Sequence, residues 1–176
     1  MEELIRIIKE LQSTNSRLEK EEILQNNKDD DFIKRVFKFA FDPYITTGLS
    51  NKKLKKKVKA NGYHITHLDV LMEYLKKNNT GRDIDIATVQ GYMFLLTENG
   101  KEIVSQIVTK SLKIGCTAKT LNKVYGAGFI PEFNVMLAKK YWEEKDKVEG
   151  KKFCISTKLD GGRLVGIKED GNISFF

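Results

Sequence analysis

Cysteine, histidine and proline are all scarce in this chain, and each shortage removes a class of architecture. The two cysteines, Cys116 and Cys154, lie far apart and have no C-x-x-C partner. Neither a disulfide framework nor a cysteine-ligated metal site is expected, so both read as reduced, half-buried thiols. His64 and His67 have no further ligands nearby, and two histidines do not complete a metal site. No apolar run approaches the ~20 residues of a membrane span. Met1-Glu2-Glu3 opens into an amphipathic helix rather than the basic and apolar regions of a secretory signal. The reading is of an intracellular protein with no membrane partner and no metal site of its own. No internal repeat is detected, and only two prolines interrupt the 176 residues.

What is present is the composition of a soluble globular protein, 40% hydrophobic and 31% charged. Its length suits one full domain plus part of another. The net charge of +7 and pI near 9.2 favour an acidic partner, of which nucleic acid is the commonest.

The first 128 residues read as helical throughout. Leu4, Ile7, Ile8 and Leu11 recur at helical spacing and define a first amphipathic face. Ser16 with Glu19 is a capping-box pattern for a second helix buried through Leu18, Ile23 and Leu24. Asp29-Asp30-Asp31 supplies acid to the start of a third, whose stripe is Phe32, Ile33, Val36, Phe37, Ala40 and Phe41, ended by Pro43. An irregular segment to about Gly62 carries six lysines in the eight positions from Lys52 to Lys59. It reads either as a phosphate-facing patch or as a mobile, solvated loop. Thr66 and Asp69 form another capping box, for a helix with Leu68, Leu71, Met72 and Leu75 inward. Ile84, Ala87, Val89, Tyr92 and Leu96 suit a fifth helix, broken by Asn99-Gly100. Ile103, Val104, Ile107, Val108, Ser111 and Leu112 describe a sixth, and Thr117 caps a short seventh through Val124.

From Phe129 the pattern changes. Residues 129–150 read as a charged linker with Tyr141 and Trp142 as aromatic anchors, and Met136-Leu137-Ala138 as a docking strand or turn. Lys152 to Thr157 alternates like a strand, Asp160-Gly161-Gly162 supplies a turn, and Arg163 to Ile167 reads as the returning strand. The β pattern continues through Ile173, Phe175 and Phe176, and the chain is expected to stop within a domain. Lys158-Leu159-Asp160-Gly161-Gly162-Arg163 stands on that hairpin, where glycine leaves the backbone open to close approach by a phosphate. The plain alternative is a surface hairpin whose lysine does nothing.

The hexapeptide fits the K-x-D-G-x-R pattern of enzymes that form a covalent lysyl-nucleotide. Before it come a helical region, then Ser111-Leu112-Lys113-Ile114-Gly115-Cys116-Thr117-Ala118-Lys119-Thr120-Leu121-Asn122-Lys123-Val124, Ile130-Pro131-Glu132 and Met136-Leu137-Ala138. That order resembles ATP-dependent DNA ligases, most closely the bacteriophage ligases of the T-even type, and most specifically from Leu112 onward. RNA ligases and capping enzymes share the hexapeptide, but the run ending in Asn122-Lys123-Val124 is not typical of them.

The resemblance implies an α+β chain: an all-α DNA-binding domain over 1–128, a linker over 129–150, and over 151–176 the first β-hairpin of a truncated nucleotidyltransferase, ATP-grasp-like domain. It implies a monomer in the cytoplasm of a bacterial or phage-infected cell that seals nicks in duplex DNA during replication, repair and recombination. Lys158 would take the adenylate from ATP, with Arg163 and Gly161 beside it at the nucleotide. Magnesium would be held by residues beyond this chain. Lys113, Lys119, Asn122 and Lys123 would contact the DNA backbone. Ser156 stands where many such ligases carry an acidic or amide residue, so no side-chain contact to adenine follows. Two other readings stay open: a DNA-binding module without ligase activity, and a nucleotidyltransferase of the RNA-ligase or capping type.

Overall fold

A computed structural model describes residues 1–132, 139–152, 154, 164 and 166–175. The chain divides into two compact units, Met1–Glu132 and Phe133–Phe176.

The first unit is a helical bundle. Helix α1 (Glu2–Ser13) fully buries Leu4, Ile7, Ile8 and Leu11. Each such side chain contributes about 1.5–3 kcal/mol relative to exposure. Helix α2 (Arg17–Asn26) starts where the Ser16 hydroxyl accepts from the Glu19 amide at 3.4 Å. The capping box is only half formed, because the Glu19 carboxylate turns to the Thr14 hydroxyl instead. Leu18, expected inside, is 75% exposed, and the position inward of it is taken by Lys20. Helix α3 (Asp31–Phe41) is capped by the Asp30 carboxylate, which accepts from the Phe32 and Ile33 amides at 2.8 and 3.0 Å. Its stripe adds Phe39 to the expected residues.

Helix α5 (Leu68–Lys77) follows the short α4 (Asn51–Leu54) and buries its four expected apolar residues. Its N-cap is His67, not Thr66, and Asp69 accepts from the Val70 amide rather than closing a box. Helix α6 (Asp83–Phe94) buries Ile86, Val89 and Tyr92, together with Asp85 and Thr88. Asn99-Gly100 does not break a helix. Both residues lie in the first turn of α7 (Glu98–Val108), where the Thr97 hydroxyl accepts from the Gly100 amide at 3.3 Å. Residues Ser111 and Leu112 fall outside α7, because Lys110 takes φ = 59° and turns the chain. Helix α8 (Ala118–Tyr125) begins at Thr117 as expected.

Helix α1 packs on α2 and α7, α3 on α5 and α7, α6 on α4 and α7, and α2 on α8. Phe129 and Ile130 belong with this bundle rather than with the linker assigned to them: Ile130 is buried in its core, and Phe129 packs at 4.7 Å, ring to ring, on Tyr125.

In the second unit, a single 3₁₀ turn (Tyr141–Glu143) precedes α9 (Lys145–Val148). The aromatic pair Tyr141 and Trp142 stacks edge to face at 5.1 Å, but Trp142 is 82% exposed and anchors nothing among the described residues. Strands β1 (Gly166–Glu169) and β2 (Asn172–Phe175) pair antiparallel, Gly166 opposite Phe175 and Glu169 opposite Asn172. Their two-residue turn, Asp170-Gly171, has both φ values positive, 48° and 82°. That is the conformation an Asp-Gly hairpin turn favours. The hairpin expected around Asp160-Gly161-Gly162 lies outside the described residues, as does Met136-Leu137-Ala138.

Candidate nucleic-acid interface

Two helices of the bundle start side by side on one cleft. Asn15, Arg17 and Lys20 of the α2 end line it, facing Gly115, Thr117, Lys119 and Thr120 of the α8 end. Its volume is about 230 Å³. Each helix N-terminus presents amide groups without intrahelical partners and a partial positive charge, so the cleft is electropositive before any side chain is counted. The Thr117 hydroxyl satisfies one of those amides, from Thr120 at 3.4 Å.

The cleft wall is held by Lys20. Its Nζ, buried with the rest of the side chain, donates to the Ile114 carbonyl at 2.6 Å and so ties α2 to the loop before α8. Gly115, at φ = 65°, turns that loop directly over the lysine, and a Cβ there would collide with Nζ. An L side chain would be strained at this φ in any case.

Arg17 is the first residue of α2 and Lys119 the second of α8. A basic residue at a helix N-terminus opposes the macrodipole at a cost of about 0.3–1 kcal/mol. Arg17 is partly compensated, its Nε donating to Glu21 at 2.9 Å, and Lys119 has no ionic or hydrogen-bonded partner among the described residues. Places where a local rule is broken without internal compensation are expected to be functional or strained sites. Neither Arg17 nor Lys20 was read from the sequence as a site residue. A basic residue directly after the Ser16 cap is the signal that could have found Arg17.

The four residues expected on DNA fall into three situations. Lys113 and Lys119 are exposed with free ammonium groups. Lys123 is exposed but paired with Glu21, whose carboxyl is held below its ordinary range by Lys123 first and Arg17 second. Asn122 is turned inward. Its carboxamide accepts from the Ile130 amide at 2.6 Å and donates to the Ile130 carbonyl at 2.9 Å, bracing the segment after α8. Cys116 sits beside this site half-buried, and burial pushes its thiol up, away from reactivity. Lys158, Gly161 and Arg163 lie outside the described residues.

No family model matches the chain. Among curated proteins, it is 25% identical over 166 residues to the DNA ligases of Enterobacteria phages T4 and T6, an alignment covering 91% of this chain. The chain spans 34% of the length of each. Two solved structures, Pmar-Lig_PreS3 and Pmar-Lig_Pre., share its fold with TM-scores of 0.60 and 0.58 at 22% and 23% identity. They align over 98% of this chain and 41% of their own. The similarity to phage DNA ligases runs along nearly the whole chain, as the resemblance implied, and the two solved structures share its fold over the aligned part.

Proposed function

We propose that this chain is the amino-terminal part of an ATP-dependent DNA ligase, in which the helical unit holds nicked duplex DNA and Lys158 carries the adenylate. The observation that carries the DNA-binding half is the cleft between α2 and α8, where Arg17, Lys20 and Lys119 meet two helix N-termini. Such a site suits a phosphate, the group that every nucleotide of a duplex presents. It matches the requirement of an enzyme that works on any sequence, since phosphate contacts position a protein without specifying bases. Lys113 and Lys123 extend the basic face, and Asn122 serves it by bracing the Ile130 segment.

The catalytic half rests on Lys158-Leu159-Asp160-Gly161-Gly162-Arg163 and on the similarity to phage ligases. The Lys158 amine, once neutral, attacks the α-phosphate of ATP; a P–N bond forms and pyrophosphate leaves. A lysine has an ordinary pKa near ~10.4, so neighbouring cations or desolvation must favour the free amine. Arg163 offers a rigid fork of donors to the nucleotide. The AMP then passes to the 5′-phosphate at the nick, and the adjacent 3′-hydroxyl displaces it. Bound magnesium would neutralise phosphate charge in these transfers, and no residue of this chain is assigned to it.

The test is labelling of the full-length protein with α-labelled ATP or GTP, followed by mapping of the modified residue. Label from ATP that disappears in Lys158→Ala is expected. Label from GTP favours a capping-type enzyme, and ATP label surviving Lys158→Ala removes the assignment. If no label appears while nicked duplex is bound, a DNA-binding module without ligase activity is the better description.

A further inference from the structure

The lysine-rich segment is neither a mobile loop nor uniformly a charged face. Its backbone is pinned at several points: the Ser50 hydroxyl caps α4, and the Gln90 amide donates to the Leu54 and Lys56 carbonyls at 2.8 and 2.9 Å. Leu54 is buried and Val58 packs on the core. Gly62 lies so close to the α6 backbone at Thr88 that a Cβ would collide with it, and the next amide, Tyr63, donates to the Thr88 hydroxyl at 2.9 Å.

The lysines themselves divide into two groups. Lys53 points back into the fold, donating to the Gly48 carbonyl at 2.6 Å and the Thr80 carbonyl at 3.4 Å. Lys56 pairs with Asp83 at 2.8 Å. Lys52, Lys55, Lys57 and Lys59 are exposed and have no hydrogen-bonded or ionic partner among the described residues. No aspartate or glutamate occurs between Asp42 and Asp69, so no carboxylate of the segment itself offsets these charges. Like charges crowded on a fixed backbone repel, and a free loop would relieve that by extending; here the pinning keeps them together.

We infer that Lys52, Lys55, Lys57 and Lys59 form a second phosphate-contacting surface for duplex DNA, on a segment that the Lys53 and Lys56 contacts tie back to the bundle. This rests on the DNA-binding reading of the helical unit and adds to it a surface on other elements. Four outward ammonium groups on an ordered scaffold fit the regular negative charge of a duplex, and each phosphate neutralised adds about 0.9 to the salt slope of binding.

The experiment compares binding of a labelled nicked duplex by three proteins across about 50 to about 200 mM salt: the whole chain, the quadruple variant with Lys52, Lys55, Lys57 and Lys59 changed to Gln, and a matched control with Lys9, Lys28, Lys38 and Lys77 changed to Gln. The quadruple variant is expected to lose roughly tenfold or more in affinity and about 2–4 from the slope, beyond any change in the control. If the chain binds but quadruple and control behave alike, the second surface is overturned and the DNA-binding reading stands. If the unmodified chain does not bind duplex DNA at all, both fall. Amine-reactive footprinting of the unmodified chain covers the case in which the quadruple variant does not fold. Protection of the four outward lysines by duplex is expected, and equal labelling with and without DNA contradicts the inference.

Discussion

Helices α6 and α2 each carry an arginine at the start, Arg82 as the N-cap of α6 and Arg17 as the first residue of α2, where the helix dipole disfavours positive charge, and the fold treats the two differently. At α6, Arg82 occupies the N-cap, and the fully buried Asp85 carboxylate takes its backbone amide at 2.8 Å and its guanidinium at 3.1 and 3.2 Å. The Tyr74 hydroxyl adds a further bond to Asp85 at 2.7 Å, and Arg82 also donates to Asn78. Its donors are taken by Asp85 and Asn78 even though the side chain is half exposed, and the corner is a structural lock. At α2, Arg17 has one partner, Glu21, which it shares with Lys123, and across the cleft Lys119 at the head of α8 has none among the described residues. The position on the helix is nearly the same in both places. What separates a lock from a candidate binding surface is whether the donors are already used.

The largest effect expected from breaking that contrast is on stability at the α6 corner. Asp85→Ala removes the cap and the three side-chain bonds from Arg82 and Tyr74 together, with an expected loss of about 3 kcal/mol, the upper end for leaving hydrogen-bonding partners unpaired. Urea denaturation measures it. The salt slope of DNA binding by the folded fraction should be unchanged, and a changed slope would mean that Arg82 is more than a lock.

The same corner has a pH signature. Burial pushes the Asp85 carboxyl up, but the hydrogen bonds from Arg82 and Tyr74 outweigh it and hold the group below its ordinary value near 3.8. A depressed folded-state pKa gives stability that is present above the ordinary value and lost as pH falls through the depressed one. Urea midpoints measured from pH 7 downward should therefore fall more steeply below about pH 4 in the unmodified chain than in Asp85→Asn. Parallel curves would show that Asp85 does not carry the linkage.

On the cleft side the expected stability changes are smaller. Gly115→Ala places a side chain at positive φ against Lys20 and should cost about 1–2 kcal/mol, with the cleft distorted and duplex affinity reduced as well. An affinity unchanged by this variant would separate the 113–117 loop from the DNA site.

How much of this was legible in the sequence follows from where the partners lie. Leu4, Ile7, Ile8 and Leu11 announce α1 because their spacing alone sets its buried face, and Thr117 announces α8 because a cap acts within one turn. Lys20 was missed because its buried charge is made tolerable by a distant partner, the carbonyl of Ile114, whereas Asp85 has Arg82 only three residues before it and gains just the Tyr74 hydroxyl from another helix. The same reason hid the order in the lysine-rich segment, whose pins come from Gln90 and Asp83. Asn99-Gly100 looked like a breaker because glycine is a poor helix former, yet in the first turn, with Thr97 capping, it is tolerated. Of the cleft's cations Lys119 was visible, because it stands with Lys113 and Lys123 in the run that resembles phage ligases. Arg17 comes from a region where that resemblance is weak.

The most direct measurement is on Lys119→Glu, because stability and function should move in opposite directions. Replacing the cation by an anion at the α8 N-terminus should leave thermal stability unchanged or raise it by about 0.3–1 kcal/mol. Binding of nicked duplex should weaken, with the salt slope reduced by about 1 or more. A variant that is equally or more stable but has lost DNA affinity and slope is the result this account predicts. Unchanged affinity and slope in a folded Lys119→Glu protein would contradict it, and would return the α2–α8 cleft to an ordinary solvated surface.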